Sequence, residues 1–268
     1  MKHPNTPKVS ACIDMMFSGL DFYDRFAAVK ASGIGAVEFW KWSNKDLNRV
    51  RGLLDRHGLD FTVFNIDSRD ERLSRDLSRG ILNLGRKDEL LSALKESVPV
   101  YHMLEAAGMI VLIGENTDAI SRQRQIENVY ECLAAAAELA EKFNVTLVVE
   151  SLNNIDRANY CMPYAAELLE ILDRVNSSHV KMLYDIYHQN MMQDFSMAVI
   201  RENIARIGHF HVADCPGRHE PGTGNVDYGS ILREIGALPY SGSLGLEYRA
   251  TKPDADTIGF LKEAGILA

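Results

Sequence analysis

The chain has 268 residues, of which 46% are hydrophobic and 25% are charged, and this is enough for one large α/β domain with a substantial core. Its formal net charge of −8 disfavours a surface for nucleic acid or for an anionic membrane, because both partners require a basic face. No apolar run approaches the roughly 20 residues of a membrane-spanning helix.

The amino terminus and the cysteines predict a cytoplasmic protein. Residues 1–10 are polar, contain two prolines and lack the apolar core of a signal peptide. The cysteines Cys12, Cys132, Cys161 and Cys215 are scattered along the chain and form no Cys-x-x-Cys pair. We therefore expect free thiols in a reducing compartment, rather than disulfides or a thiolate zinc site.

Short apolar runs alternate with longer amphipathic stretches along the whole chain. The predicted strands are Val9–Ile13, Ala36–Phe39, Phe61–Asn65, Ile110–Ile113, Thr146–Glu150, Lys181–Asp185, His209–Ala213 and Ser243–Glu247. The predicted helices are Asp21–Ala31, Leu90–Ala107, Ile126–Phe143, Tyr164–Val175 and Ala255–Ala264. Such alternation implies parallel strands with crossover helices, and eight units in about 250 residues are the size of a (β/α)8 TIM barrel.

An open, doubly wound α/β sheet is the competing architecture. It would need a glycine-rich phosphate-binding turn after an early strand, and the sequence contains no G-x-G-x-x-G motif. We therefore predict a single (β/α)8 barrel domain over residues 1–268, because no repeat, low-complexity tract or linker marks a boundary. The segment Ser68–Lys87 is rich in Arg, Asp and Ser and is expected to form an extended βα loop.

Four late strands end in side chains of the kind that bind metal ions. These are Glu150, Asp185, His211 and Glu247, which are separated by about one βα unit each. In a TIM barrel they would stand on adjacent strands at one height and point at one another. Three carboxylates and an imidazole suit Mn²⁺, Mg²⁺ or Co²⁺, whereas zinc more often recruits additional His or Cys. A charged side chain at the end of an apolar strand costs several kcal/mol of free energy unless it is paired or bound to a metal ion. Four such residues therefore favour a metal site over helix caps. His209, one layer lower in the barrel, is expected to be structural.

Segments around these strand ends form a pattern that points to one enzyme family. They are Val148-Val-Glu150-Ser-Leu-Asn153, Asp185-Ile-Tyr-His188, Ala213-Asp-Cys-Pro-Gly-Arg218-His-Glu-Pro-Gly-Thr-Gly224 and Gly245-Leu-Glu247-Tyr-Arg249. Together they resemble the hydroxypyruvate isomerase family of the xylose-isomerase-like TIM barrels, a group that also contains the ketose 3-epimerases. Phe64-Asn65 and Arg79-Gly80 are weaker matches in the first half of the chain.

The resemblance implies roles for individual residues. In that group the residues at the four strand ends bind a divalent metal ion, which here would be Glu150, Asp185, His211 and Glu247. The resemblance also implies that Glu150 and Glu247 are the catalytic acid/base pair. It further implies that His188 and Arg218 contact substrate oxygens.

Some positions depart from the family pattern and leave the substrate open. Hydroxypyruvate isomerases typically carry Gln where this chain has His211, whereas the 3-epimerases carry His. The stretch Phe39-Trp-Lys-Trp42 and the segment Asn65-Ile-Asp-Ser68 also differ from the isomerases.

The hypothesis is an isomerase that works by proton transfer through a metal-bound enediolate. Removing a proton beside a carbonyl needs a base and an electrophile, and a divalent ion is the electrophile. Glu150 or Glu247 would remove the proton and return it. One carboxylate acting at two carbons gives an isomer, whereas two carboxylates acting on opposite faces of one carbon give an epimer.

Further polar and aromatic residues are candidates for substrate binding. His188 can polarise a substrate oxygen, or it can support a metal-binding carboxylate. Arg218 and Arg249 can grip a substrate carboxylate, or they can form ordinary ion pairs in loops. Trp40 and Asn65 follow or end early strands and are expected to contribute to the substrate pocket.

Other functions stay open at this stage. They are a ketose 3-epimerase, a lyase subunit of the C-glycoside deglycosidase type, and a non-catalytic barrel that binds a sugar or a metal ion. Metal-dependent DNA-repair endonucleases of the same superfamily are disfavoured, because they need extra His ligands and a basic groove. We expect a small carbohydrate or keto-acid substrate, no nucleic acid and no membrane; the chain can also be a homo-oligomer.

Overall fold

The apolar runs of the sequence form parallel strands around a common axis. The computed structural model describes residues 7–263. The strands are β1 Lys8–Cys12, β2 Ala36–Glu38, β3 Asp60–Phe61, β4 Val63–Asn65, β5 Gly108–Leu112, β6 Leu147–Glu150, β7 Val180–Asp185, β8 Ile207–Val212 and β9 Ser243–Leu246. They pair in the order β3-β2-β1-β9-β8-β7-β6-β5-β4, and every pairing is parallel.

The barrel is completed at the third predicted strand, which is divided at Thr62. Its first part, β3, pairs with β2, and its second part, β4, pairs with β5. Thr62 is tied to both neighbours, because its N–H donates to Val37 O at 3.0 Å and its carbonyl accepts from Ala107 N at 2.7 Å. The eight predicted strands therefore all exist, and the prediction of a TIM barrel is confirmed.

Helices surround the sheet. They are α1 Arg25–Ser32, α2 Leu47–His57, α3 Glu71–Leu77, α4 Lys87–Leu104, α5 Arg122–Phe143, α6 Ala165–Val175, α7 Ile186–Met191, α8 Met197–Asn203, α9 Tyr228–Ala237 and α10 Gly259–Glu263. The five predicted helices correspond to α1, α4, α5, α6 and α10, and the predicted end of the last one, Ala264, lies outside the described residues. Between residues 7 and 263, none of the helices is long and apolar enough to cross a membrane.

The prediction of an extended loop over Ser68–Lys87 is wrong in the middle of that segment, where α3 forms. Asp70 caps this helix, since its side chain accepts the Leu73 N–H at 2.7 Å. Leu73 and Leu77 lie one turn apart and are both buried in the core. A helix this short depends on tertiary packing for its stability, and its local sequence gives little sign of it.

The apolar interior of the barrel supports the strand ends above it. Val63, Ile110, Val148 and Leu183 come from four neighbouring strands and form a cluster of their own. Side chains two residues apart on a strand share a face, so Glu150 stands one step beyond Val148 towards the carboxyl end of β6. The cluster thus closes the barrel below the polar residues at its mouth.

Two glycines allow a contrast between a crowded backbone and an open one. Gly80 has a φ of 93°, and a Cβ there would collide with the backbone nitrogen of Gly114. Gly80→Ala is expected to lower the free energy of unfolding by about 2 kcal/mol or more, because the backbone strain and the steric clash both destabilise the folded state.

Gly52 lies inside α2 with nothing near its Cβ position, so Gly52→Ala should raise the free energy of unfolding by about 0.5–1 kcal/mol. Denaturation with urea measures both, and equal effects of the two substitutions would contradict the crowding at Gly80.

Candidate active site and metal centre

The four strand-end residues predicted as ligands meet at the centre of the barrel mouth. Glu150 and Asp185 are the last residues of β6 and β7, His211 is the penultimate residue of β8, and Glu247 follows β9 directly. One ligand atom from each lies within 4.8 Å of all the others. The Nδ1 atom of His211 is 3.2 Å from both Glu150 Oε1 and Glu247 Oε2, and 4.0 Å from Asp185 Oδ2. All four side chains are buried.

Burial and neighbouring charges perturb the pKa values of Asp185, His211 and Glu247. Burial raises the pKa of Asp185, and the positive charges of Arg218 and His211 offset this only in part. The pKa of Glu247 is lowered, because Arg218, His211 and the Trp40 N–H together outweigh its burial. The surrounding carboxylates raise the pKa of His211 despite the burial of its ring. Three acids packed around one imidazole are a donor set that fits a hard divalent cation.

Arg218 is brought to the site by the loop that follows β8. Its Nη2 contacts Glu247 Oε2 directly and lies 3.6 Å from Asp185 Oδ2. Asp214 organises this loop, because its carboxylate accepts the backbone N–H groups of Cys215 at 2.8 Å and of Gly222 at 2.7 Å. The guanidinium therefore reaches two of the buried acids at once.

Arg249 is placed differently from Arg218. Its side chain is exposed and is not among the described residues that line the cavity above the acids. Its backbone N–H donates to Arg218 O at 2.9 Å, and its carbonyl accepts from the His219 ring at 2.7 Å. The main chain at Arg249 thus braces the loop that carries Arg218, and its guanidinium lies away from the cavity.

His188 presents a neutral ring with one free N–H. Its Nδ1 accepts the backbone N–H of Asn153 at 3.1 Å, so the proton of the neutral ring belongs on Nε2. Within the described chain this Nε2 has no hydrogen-bond partner, and it lies 3.5 Å from Asp185 Oδ2. Burial and the charge of Arg218 lower the pKa of His188 to about 3. Asp185 also caps α7, since its Oδ1 accepts the His188 backbone N–H at 3.0 Å.

A cavity of about 540 Å³ opens above the acids. Glu150 and Glu247 face it, whereas Asp185 and His211 lie beneath its lining. The predicted substrate-binding residues Trp40, Asn65, His188 and Arg218 all belong to the lining. The Trp40 indole N–H donates to Glu247 Oε1 at 2.7 Å. The Asn65 Oδ1 atom has no hydrogen-bond partner in the described part of the chain.

Sequence reasoning missed Glu38, which lies beneath His211. Glu38 ends β2 and is buried, with its Oε1 3.1 Å from His211 Nε2 and its Oε2 3.1 Å from His209 Nε2. His209, which was expected to be structural, is buried with its Nδ1 2.9 Å from Ser243 Oγ. The signal for Glu38 was present, because an apolar run that ends in a carboxylate also marks the four late strands.

Lys45 was also missed, because it lies in a loop several residues beyond β2. Its side chain is 8% exposed and belongs to the cavity lining. Its nearest carboxylate is that of Asp14, with the Nζ and Oδ1 atoms 3.6 Å apart. Asp14 Oδ2 also accepts the Trp40 backbone N–H at 2.7 Å. Burial lowers the pKa of Lys45, and Asp14 offsets this only in part.

Comparison with known proteins agrees with this architecture. The chain matches the family model described as "Xylose isomerase-like TIM barrel" over residues 26–264. A solved structure described as an AP endonuclease, family 2, from Brucella melitensis superposes with a TM-score of 0.87 at 23% identity, covering 96% of this chain and 98% of that one. At this level of identity the likeness shows the fold alone.

Two relatives of similar length carry isomerase names. The chain is 28% identical to hydroxypyruvate isomerase of Escherichia coli, with 97% of this chain and 96% of the relative covered. It is 30% identical to 2-oxo-tetronate isomerase of Cupriavidus necator, with 96% and 98% covered. The chain therefore belongs to the hydroxypyruvate isomerase family of the xylose isomerase-like TIM barrels, and it is an isomerase.

Proposed function

We propose that this protein is a divalent-metal-dependent isomerase of small keto acids that works by proton transfer through an enediolate. The observation that carries the proposal is the convergence of Glu150, Asp185, His211 and Glu247 beneath one cavity, with two of the acids facing it. The names of the relatives from Escherichia coli and Cupriavidus necator support the substrate class.

The residues that would hold the ion are Glu150, Asp185, His211 and Glu247. Their oxygen-rich set suits Mn²⁺, Mg²⁺ or Co²⁺. When bound, such an ion polarises a carbonyl oxygen and stabilises the negative charge that develops on it. Without a positive ion, Arg218 and the His211 ring are the groups among the described residues that offset the charge of these acids.

The proton is moved by Glu150 and Glu247, the two acids that face the cavity. The lowered pKa of Glu247 keeps it ionised, which is the state that accepts a proton from carbon. The orientation of the Glu247 carboxylate is fixed, because Trp40 donates to Oε1 and Arg218 contacts Oε2. Glu150 or Glu247 then returns the proton at the neighbouring carbon.

His188 and Asn65 orient the substrate oxygens. The free Nε2–H of His188 donates to a substrate oxygen, and burial keeps the ring neutral at physiological pH. The free Oδ1 of Asn65 accepts from a substrate hydroxyl. Buried polar atoms that find no partner among residues 7–263 are unfavourable, and a polyhydroxylated substrate would supply the hydrogen bonds that they lack.

Lys45 favours an acid over a neutral sugar as the substrate. A buried ammonium with one carboxylate 3.6 Å away is under-compensated, as its lowered pKa indicates. The faces of Phe22 and Phe39, with ring centres 4.5 and 4.9 Å from Nζ, hold the ammonium in position. A substrate carboxylate would provide the second anion.

A ketose 3-epimerase is the second candidate. The observation that favours it is His211, the imidazole at the position where the isomerases of this family typically carry Gln. Two carboxylates facing one cavity can also act on opposite faces of a single carbon. The two activities differ in which carbon takes up solvent hydrogen.

We also propose a cytoplasmic location. All four cysteines fall within the described residues, and each is a free thiol. Three of them are buried, and free thiols of this kind are usual in a reducing compartment.

Replacing either cavity-facing acid should stop proton exchange. Glu150→Gln and Glu247→Gln are each expected to slow the incorporation of solvent deuterium into hydroxypyruvate or 2-oxo-tetronate by about 10²–10⁴-fold. NMR in D₂O measures the incorporation, and a neutral ketose in the same panel tests the epimerase. Glu127→Gln, at a surface ion pair with Arg174, is the matched control. Full exchange in both active-site variants would refute the assignment.

Chelation should remove activity, and a cation should stabilise the protein. EDTA is expected to inactivate the enzyme, and Mn²⁺, Mg²⁺ or Co²⁺ should restore it. At about 100 times its Kd, the ion should add about 2.7 kcal/mol to the free energy of unfolding. Asp185→Asn keeps the α7 cap but should lose most of this gain. Activity that persists in EDTA, in protein shown to be metal-free by elemental analysis, would exclude the metal centre.

Removing the Lys45 charge should affect acids selectively. Lys45→Met is expected to raise KM for keto-acid substrates about 10–100-fold, because a charge-assisted contact of about 1.5–3 kcal/mol is lost. KM for a neutral ketose should change little. Lys8→Met, at an exposed ion pair with Asp60, controls for loss of net charge. Equal effects of Lys45→Met on acid and neutral substrates would argue against an anion-binding role.

A further inference from the structure

We propose that Glu38 is a positioning residue that selects the tautomer of His211 able to bind a cation. The inference rests on the proposed function, because it concerns how His211 serves the metal centre. It assigns a role to a buried polar layer beneath the four strand-end residues. This layer consists of Ser10, Glu38, Thr62, His209 and Ser243.

The side chain of Glu38 points into the barrel and contacts polar groups from several strands. Its Oε1 is 3.1 Å from His211 Nε2, and its Oε2 is 3.1 Å from His209 Nε2. The hydroxyls of Ser10 and Thr62 donate to Oε2 at 2.5 and 2.9 Å. The two hydroxyls and the His211 ring supply three hydrogen bonds to this buried carboxylate, and His209 Nε2 lies beside it without meeting the geometry of a hydrogen bond to any of the described residues.

The two nitrogens of His211 face different groups. Nε2 faces Glu38, whereas Nδ1 faces Glu150, Glu247 and Asp185. A cation at the acids requires a lone pair on Nδ1, so the single proton of the neutral ring must reside on Nε2. In the other tautomer a lone pair on Nε2 would face the Glu38 carboxylate in a buried position. Glu38 therefore makes Nδ1 the ligand atom.

Gly245 in β9 makes room for this layer. A Cβ at position 245 would lie 2.7 Å from Glu38 Oε2 and 2.6 Å from His209 Nε2. Any side chain there would collide with both Glu38 and His209. The absence of a side chain at Gly245 is an observation independent of the hydrogen bonds, and it marks the place where Glu38 approaches His209.

A second metal ion among Glu38, His209 and His211 is the competing explanation, since their ligand atoms also lie within 4.8 Å of one another. The surroundings favour hydrogen bonding instead. Two hydroxyls already donate to Glu38, and Ser243 occupies the other nitrogen of His209. The number of Mn²⁺ equivalents bound by the protein distinguishes the two explanations.

The first test measures Mn²⁺ affinity by isothermal titration calorimetry. Glu38→Gln has the same shape without the charge and is expected to weaken binding 10–100-fold. Thr62→Val is the matched control, because it removes a donor from the same carboxylate without touching His211; its affinity should stay within about threefold of wild type. Unchanged affinity in Glu38→Gln, an equal loss in both variants, or uptake of two Mn²⁺ equivalents by wild type would overturn the inference.

The second test reads the tautomer directly and does not depend on the folding of a Glu38 variant. Protein with ¹⁵N-labelled histidine and bound Mg²⁺ is studied by ¹H–¹⁵N multiple-bond NMR, with His211 assigned by the signal missing from His211→Gln. Wild type should carry its proton on Nε2, and a proton on Nδ1 would refute the role of Glu38. A wild type that binds neither Mn²⁺ nor Mg²⁺ would refute the metal centre itself, whereas tight binding with the proton on Nδ1 would refute this inference alone.

Discussion

The buried convergence of three carboxylates on one imidazole is the constraint around which the rest of the structure is arranged. Like charges at this spacing in a low-dielectric interior repel one another strongly. The fold holds them there with a guanidinium that contacts Glu247 and Asp185, an indole N–H on Glu247 and an imidazole between the acids. These partners reduce the repulsion, and burial still raises the pKa of Asp185. A divalent cation is the ligand that such a cluster attracts most strongly.

The late strands and the early strands of the barrel contribute different parts of the site. The consecutive strands β6 to β9 supply the three acids and the imidazole from their carboxyl ends. The early strands and the loops after them supply the wall of the cavity, through Trp40, Lys45 and Asn65. Loops can therefore change the preferred substrate while the proton-transfer chemistry stays on rigid strands, as is general for this fold. Among the residues near the cavity, His211 lies between the acids and Lys45 adds a positive charge to the wall.

The polar layer around Glu38 shows how a cluster of buried charged groups can lie on an apolar barrel. Below the acids, a TIM barrel is normally filled by branched apolar side chains, as it is here by Val63, Ile110, Val148 and Leu183. On the opposite side of the barrel, this chain instead uses the Glu38 carboxylate, which is hydrogen-bonded to two hydroxyls and to the His211 ring. A satisfied network of this kind is rigid, because each member would leave others unpaired if it moved. Rigidity beneath a ligand is what fixes its orientation.

The sequence by itself determined the barrel, its order of strands and the four residues at the late strand ends. These features can be read from the local sequence, because an apolar run that ends in Glu150 or Asp185 places the acid at the carboxyl end of its strand wherever that strand lies in a parallel barrel. The sequence did not separate Arg218 from Arg249, since the conformations of the loops after β8 and β9 decide which guanidinium reaches the acids. Nor did it reveal Lys45 or helix α3, whose roles depend on packing between residues distant along the chain. Glu38 carried the same strand-end signal as the four residues that end the late strands, but only the closure of the barrel brings β2 opposite β8 and places its carboxylate against His211.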